Sequence, residues 1–292
     1  MTDQSSTADL SFRSGALERA ELEQCFAKNG VVILRGLLGA DFISYLRDRI
    51  HRLIDARLRS LGGETSSEGI DACLARLLAF NQIHAMDVIR AARSLPEFYR
   101  AFTDPVLLGI VQRLLRTEVL QCIHDIAQFR IDPPNYDERN FTWHQDFQYN
   151  VASLNAVTAW FPLTSVTEEM GNLAVVPGTH DRIVPVIEDR SRHTSGRGTA
   201  HSTLRFDVDP AELERRAVLL DGIEPGDVVF FHCLLLHRSG RNRSTRARLV
   251  MNPRYAEALD SAVVQRGWIA MSDRTQDVFA RYYPDSIRQA AG

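Results

Sequence analysis

The chain has 292 residues, of which 45% are hydrophobic and 24% are charged, a composition typical of a soluble globular enzyme. Its formal net charge of −3 argues against a nucleic-acid partner and against a polybasic membrane anchor. The four cysteines are scattered without a CxxC pair, the N-terminus is polar, and no apolar run is long enough to insert into a membrane. We therefore expect a cytoplasmic protein. Composition leaves open whether it is a monomer or a homodimer.

The N-terminal third carries the pattern of amphipathic helices. Residues 1–14 are rich in Ser, Thr and Asp, and we expect a disordered tail there. The apolar run VVILRGLL at 31–38, which follows Gly30, contains β-branched residues and predicts a buried strand. From Asp41 onward, apolar residues recur at three- and four-residue steps until a Gly62-Gly63 stop signal. Helices are predicted at 15–29, from 41 to that stop, at 70–92 and at 104–116.

After residue 117, short β-type runs separated by Pro and Gly pairs replace the helical pattern. Such runs favour a sandwich or jelly-roll barrel over βαβ units. We predict a mainly β fold with helical additions, in which a double-stranded β-helix (jelly-roll or cupin-like) core is flanked by N-terminal helices. The predicted single domain, 15–292, comprises helix-rich support at 15–117, a core at 118–256 with a candidate lid loop at 188–207, and a C-terminal extension at 257–292. Strands are predicted at 119–131, 141–147, 156–163, 172–178, 227–237 and 246–256.

The triplet His144-Gln145-Asp146 is the central motif of the sequence. Residues two apart on a strand point to the same side, so the imidazole and the carboxylate can bind one metal ion together. His237 ends the most apolar predicted strand and is the candidate for the third ligand, whereas His232 would face the other side of that strand. Two histidines and one carboxylate leave three positions open on an octahedral metal, as in non-haem Fe(II) oxygenases.

An H-x-D triplet alone is weak evidence because it occurs by chance in many proteins. The residues after His237 add specificity. On a continuing strand, Ser239 would share the side of His237, and the guanidinium of Arg248 could bind a carboxylate beside the metal.

Taken together, these motifs resemble the phytanoyl-CoA dioxygenase family, whose relatives include ectoine hydroxylase. Four further segments match the family, and the resemblance spans roughly residues 20–256. They are Trp143, GNLAVVPGTH at 171–180, Pro225-Gly226-Asp227 and GVVILRG at 30–36. The family pattern H-x-D…H-x-S-x-x-N-x-S/T-x-x-x-R is matched by His144, Asp146, His237, Ser239, Asn242, Ser244 and Arg248.

The resemblance implies a set of cofactors and the residues that hold them. The His–Asp–His group would bind Fe(II), and 2-oxoglutarate and O₂ would be co-substrates. Arg248 and Ser239 would bind the far carboxylate of 2-oxoglutarate, and Trp160 would line its pocket. The strand before the triad would contribute Gln128 or Arg130.

The implied reaction is decarboxylation of 2-oxoglutarate to succinate and CO₂ with hydroxylation of the substrate. The carboxylate of Asp146 favours hydroxylation, because halogenating relatives replace it with a small residue; desaturation and ring formation stay open. Phe147, Tyr149 and Arg130 are the expected substrate contacts, and a rim without contact is the alternative for Phe147 and Tyr149. Arginines near the predicted loop and the distal motif suit an anionic metabolite, although solvated arginines fit the pattern equally well. They are Arg182, Arg190, Arg192, Arg197, Arg238, Arg241, Arg243 and Arg254.

Two other classes of protein fit part of the pattern. A cupin-like metal-dependent isomerase, or a catalytically inactive binding protein of the same fold, would account for the His–Asp–His group. Neither would account for Ser239 and Arg248 beside it.

Overall fold

The computed structural model describes residues 6–13, 19–65, 67, 69–123, 129–136, 141–149, 151–188, 204–268 and 275–289. The helices in these ranges are α1 (Arg19–Asn29), α2 (Ala40–Ser60), α3 (Ile70–Phe80), α4 (His84–Arg93), α5 (Pro96–Phe102), α6 (Pro105–Leu115), α7 (Pro210–Arg216), α8 (Ser261–Gln265) and α9 (Thr275–Tyr282). The strands are β1 (Ser11–Arg13), β2 (Val31–Arg35), β3 (Leu120–Ile123), β4 (Phe129–Asp132), β5 (Ala156–Pro162), β6 (Leu173–Val175), β7 (Val186–Glu188), β8 (Leu204–Phe206), β9 (Val218–Leu219), β10 (Val228–His232), β11 (His237–Ser239), β12 (Arg248–Met251), β13 (Arg254–Glu257) and β14 (Ile287–Gln289).

An eight-stranded sheet with the order β1-β2-β10-β5-β12-β4 lies at the centre, and β13 joins it by pairing with β3 and β5. All residues of β5 are buried, because β10 pairs with one edge while β12 and β13 share the other. Two smaller sheets have the orders β11-β6-β9 and β14-β7-β8. The described helices hold more residues than the strands, so the fold is a mixture of α and β, and the prediction of a mainly β protein was wrong in this respect.

Side-chain alternation gives the large sheet two different faces. In β5, Val157 and Phe161 pack with the N-terminal helices, whereas Trp160 packs with apolar residues of the sheet β11-β6-β9. In β10, Phe230 packs with the N-terminal helices and Phe231 packs with the apolar residues of the sheet β11-β6-β9. The large sheet is therefore covered by helices on one face and by a small sheet on the other, and polar residues on this second face can line a site between the two sheets.

Several predicted elements have different boundaries in the structure. The predicted helix from Asp41 is confirmed as α2, but the helix predicted at 70–92 is two helices, and α5 was not predicted. Leu10 is fully buried and β1 pairs with β2, so residues 6–13 are not a disordered tail. Most of the candidate lid, 189–203, lies outside the described residues. Within the described ranges, no helix has the length and apolar character needed to cross a bilayer.

Candidate metal centre and co-substrate pocket

The structure brings His144, Asp146 and His237 together between the large sheet and the sheet β11-β6-β9. The backbones of the two histidines exchange both N–H···O hydrogen bonds at 3.0 Å, and their ring centroids are 4.1 Å apart. Oδ1 of Asp146 lies 3.8 Å from Nε2 of each histidine. All three side chains are buried, so three metal-binding atoms face one another away from bulk water.

The local backbone reaches this arrangement by a route that the sequence did not indicate. The region predicted as a strand at 141–147 contains a single bridge at His144, followed by a 3-10 turn at Phe147–Tyr149. The predicted strand 227–237 breaks after His232, and His237 begins β11 instead. His232 lies beside His180 and Phe26, away from the triad. The structure therefore brings His237 to the triad, but the argument from one continuous strand was wrong.

Both histidines of the triad are held in the neutral form that binds metal. Nδ1 of His144 donates to the carbonyl of Thr142 at 2.7 Å, and Nδ1 of His237 donates to the carbonyl of Leu235 at 2.9 Å. This leaves Nε2 of each ring with its lone pair toward Asp146. Burial, with the nearby His237, lowers the pKa of His144 to about 3, and burial also lowers the pKa of His237.

The carboxylate of Asp146 is oriented by two neighbours. Oδ2 accepts from Oγ1 of Thr158 at 2.6 Å and from Nε of Arg254 at 3.0 Å, while Oδ1 accepts from Nη2 of Arg254 at 3.2 Å. Burial alone would raise the pKa of Asp146, but the positive charge of Arg254 holds it below its usual value. These contacts engage both oxygens, and Oδ1 also faces both imidazoles.

A second buried ion cluster lies in the same cavity. Nε and Nη2 of Arg248 donate to Oδ2 of Asp132 at 3.2 and 3.0 Å, and Nη1 donates to the carbonyls of Met170, at 3.2 Å, and Gly171. Arg130 donates to Oδ1 of Asp132 at 3.2 and 2.8 Å. Burial would raise the pKa of Asp132, but the two arginines lower it. The guanidinium of Arg248 is thus fixed in place before any carboxylate binds to it.

Gly171 explains part of the GNLAVVPGTH motif. Its φ is +82°, and a Cβ atom at this position would lie 2.3 Å from the carbonyl carbon of Gly240. A side chain would therefore push the two segments apart. Glycine permits the close approach that carries the Gly171 carbonyl to Arg248.

One cavity contains most of the predicted functional residues. Gln128 lies outside the described residues, and Phe147 does not line the cavity, because its buried ring packs against Phe279 and Tyr283. Beyond the predicted residues, the cavity wall includes Phe141 and Asn252. The predicted residues that line it are His144, Asp146, His237, Arg248, Ser239, Trp160, Tyr149 and Arg130.

Three lining residues with polar side chains, Asp132, Asn252 and Arg254, were missed as functional candidates. Arg254 was considered only as a possible contact of an anionic substrate, and its pairing with Asp146 was not foreseen. Asn252 is buried, and its Oδ1 has no hydrogen-bond partner within the described residues. Strand alternation was the available signal, since positions 248, 252 and 254 differ by even numbers and all reach the cavity.

The other arginines that suggested an anionic substrate are more dispersed. Arg238 forms two hydrogen bonds with Glu214 and lies over the ring of Trp143. Arg182 is exposed and lines a separate depression near α7. Arg190, Arg192 and Arg197 lie outside the described residues.

Comparison with known proteins places this geometry in a family. The family model for phytanoyl-CoA dioxygenase (PhyH) matches residues 26–250, most of the chain. The chain belongs to this family. Among its relatives, a probable phytanoyl-CoA dioxygenase from Caenorhabditis elegans is 23% identical over 84% of this chain and 77% of the relative. The ectoine dioxygenase of Halomonas elongata is 26% identical over 80% of this chain and 68% of the relative.

A solved structure shares the fold of this chain. The epimerase SnoN, crystallised in complex with Fe³⁺, alpha ketoglutarate and nogalamycin RO, superimposes with a TM-score of 0.52 at 21% identity. The match covers 82% of this chain and 84% of SnoN. At this identity the likeness establishes the fold, and the chemistry must be argued from this chain's own residues.

Proposed function

We propose that the protein is an Fe(II)- and 2-oxoglutarate-dependent dioxygenase that hydroxylates a small polar metabolite, with an anionic one favoured. The observation that carries this proposal is the presence of two sites in one cavity. A His–Asp–His group faces the cavity, and the buried Arg248 lines the same cavity. Two neutral imidazoles and one carboxylate are the donor set that suits Fe(II) with open coordination positions. Bound iron would supply the activation of O₂.

The residues around Arg248 define how the far carboxylate of 2-oxoglutarate would be held. A guanidinium has five N–H donors, and four contacts to Asp132, Met170 and Gly171 already engage most of them. We therefore assign Arg248 the positive charge and one hydrogen bond, and the hydroxyl of Ser239 a second hydrogen bond. The aromatic ring of Trp160 would exclude water from this end of the cavity.

Charge in the cavity favours an anionic substrate. Three arginines and a divalent iron would face two aspartates and a dianionic keto acid, which leaves one positive charge. Among the residues that line the cavity, Tyr149 and Arg130 are the proposed substrate contacts. Oδ1 of Asn252, which has no hydrogen-bond partner within the described residues, would accept a hydrogen bond from a hydroxyl or amine of the substrate.

The experiment that tests this proposal combines co-substrate turnover with a matched pair of arginine variants. Wild-type protein loaded with Fe(II) should form succinate from 2-oxoglutarate once O₂ is admitted. Arg248→Ala should raise the KM for 2-oxoglutarate on the order of 100-fold, the effect of losing a charged hydrogen bond. Arg238→Ala, which removes an arginine bound to Glu214 instead, should leave that KM unchanged. Equal KM values for both variants would contradict the assignment of Arg248.

Product analysis tests the reaction type. Hydroxylation adds one oxygen to the substrate mass, desaturation removes two hydrogens, and epimerisation leaves the mass unchanged. Screening small carboxylates with the Fe(II)-loaded protein should therefore give a product heavier by one oxygen. A cupin-like isomerase or an inactive binding protein would give no succinate at all, and neither would explain Arg248 and Ser239 beside the triad.

Some broader predictions belong to the same proposal. The large sheet and the sheet β11-β6-β9 would be the two walls of a double-stranded β-helix, within one domain at 15–292. Cytoplasmic location and a monomeric or homodimeric state stay predictions from the sequence.

A further inference from the structure

A second group of metal-binding side chains lies in the helical layer. His51 and Asp55 are one turn apart on α2, and Cys73 lies on α3, which packs beside it. Their donor atoms, one from each residue, all lie within 4.8 Å of one another. Cys73 belongs to the core on the helix-covered face of the large sheet, whereas the triad lies beyond the opposite face. We propose that His51, Asp55 and Cys73 bind a zinc ion that links α2 to α3.

The first argument is that two of these donor atoms lack partners. Nε2 of His51 and Oδ1 of Asp55 are buried as atoms, yet neither has a hydrogen-bond partner within the described part of the chain. Buried polar atoms without partners are rare because they lose their hydration without compensation. A metal ion would satisfy both atoms at once.

The second argument is the distance between those atoms. His51 and Asp55 have the i,i+4 spacing of an ordinary helical ion pair, which is the simpler reading. Their Nε2 and Oδ1 atoms are 3.6 Å apart, however, too far for the hydrogen bond that such a pair would form. The corresponding separations in the His144–Asp146–His237 group are 3.8 Å. Ligands of one metal ion are held apart in this way because each points at the ion rather than at its neighbour.

The third argument is the chemistry of the three donors. An imidazole, a carboxylate and a thiolate form a mixed set that suits zinc, whereas calcium and magnesium prefer oxygen ligands alone. Cys73 is fully buried, and the side chains of His51 and Asp55 are 30% and 22% exposed. Protein would therefore supply three ligands from the inner side, and water would complete a tetrahedron from the outer side.

Cobalt substitution in the full-length protein tests the site directly. Co²⁺ bound to a thiolate gives a near-ultraviolet charge-transfer band, and Co²⁺ bound by the triad alone does not, since the triad contains no sulfur. Chelator-treated wild-type protein titrated with Co²⁺ should develop this band to the intensity of one thiolate-bound cobalt per chain, with a second Co²⁺ bound by the triad. Asp146→Ala should keep the band, Cys73→Ser should lose it, and Cys122→Ser, a matched change of a half-buried cysteine on β3, should keep it.

His51→Gln gives a test that is independent of the cysteine variants, because it alters a partly exposed residue and leaves the thiol of Cys73 in place. In the Asp146→Ala background, which removes the triad as a second zinc site, we expect His51→Gln to weaken the affinity for Zn²⁺, measured by competition with a chromophoric chelator, at least tenfold. Added Zn²⁺ should raise the Tm of Asp146→Ala by a few degrees and that of the double variant by less. Absence of the cobalt band in wild-type protein, or its persistence in Cys73→Ser, would overturn the proposal.

Discussion

Two aspartates meet arginines in the same cavity, Asp146 with Arg254 and Asp132 with Arg248 and Arg130. Both carboxylates are buried, and in both the neighbouring arginine holds the pKa below its usual value against the effect of burial. Buried ion pairs of this kind contribute little net stability, because desolvation offsets their attraction. Their value lies in the positions that they fix.

The difference between the two clusters lies in what else faces the carboxylate. Oδ1 of Asp146 is turned toward two neutral imidazoles, so Arg254 orients a metal ligand. Both oxygens of Asp132 accept from arginine, so there the carboxylate orients the guanidinium. One aspartate–arginine pair thus orients a metal ligand at the iron end of the cavity. The other orients a guanidinium at the co-substrate end.

The largest expected effect is on iron binding, which should depend on Asp146 and not on Asp132. Asp146→Ala should abolish iron binding, since only two imidazoles would remain, while Asp132→Asn should retain one iron per chain and show a higher KM for 2-oxoglutarate. Metal analysis after anaerobic loading and desalting, followed by succinate assays, measures both. Equal iron content in the two variants would remove the distinction between the clusters.

A smaller effect is expected for the arginine that orients the metal ligand. Arg254→Gln should weaken Fe(II) affinity by roughly 10- to 100-fold, as is typical when a residue supporting a metal ligand is removed. The KM for 2-oxoglutarate at saturating iron should stay near the wild-type value. If Arg254→Gln instead changes only that KM, Arg254 acts on the co-substrate and not on Asp146.

The smallest expected effect concerns a buried histidine outside both clusters. Nδ1 of His232 accepts the N–H of Leu234 at 3.2 Å, and burial lowers its pKa from 6.5 to about 4. Between pH 6.5 and about pH 4, His232 therefore binds a proton more readily in the unfolded chain than in the folded protein. The free energy of unfolding falls as the pH falls through this window. His232 should contribute about 2 kcal/mol to the loss of unfolding free energy between pH 7 and pH 5.

Urea denaturation at the two pH values measures this contribution. In His232→Asn an amide oxygen can still accept the N–H of Leu234 but does not titrate, so the variant should lose less stability than wild-type protein does. The same pH dependence in both proteins would show that His232 is not the titrating group.

The sequence was sufficient to predict the triad, because H-x-D and His237 belong to motifs with a characteristic spacing. It could not reveal that His144 and His237 meet as an isolated bridge, since that pairing depends on a break after His232. Arg254 was missed as a partner of Asp146 for a related reason. The two residues are 108 positions apart, and β13 and the turn after His144 meet only in the folded chain.

Local patterns also explain the errors. Phe147 follows the triad pair directly, but the 3-10 turn directs its ring toward Phe279, in the C-terminal region for which no element was predicted. The apolar run 246–256 looked like one strand, and Pro253, which lacks an N–H, lies at the break between β12 and β13.

The most direct test of the central claim is an anaerobic titration of the Fe(II)-loaded protein with 2-oxoglutarate, followed in the visible spectrum. Wild-type protein should show a charge-transfer band, Asp132→Asn should show the same band at higher 2-oxoglutarate concentration, and Asp146→Ala should show no band. Admission of O₂ should then convert 2-oxoglutarate to succinate. A wild-type protein that shows neither the band nor succinate at saturating iron and 2-oxoglutarate would rule out this cavity as an Fe(II)- and 2-oxoglutarate-dependent site.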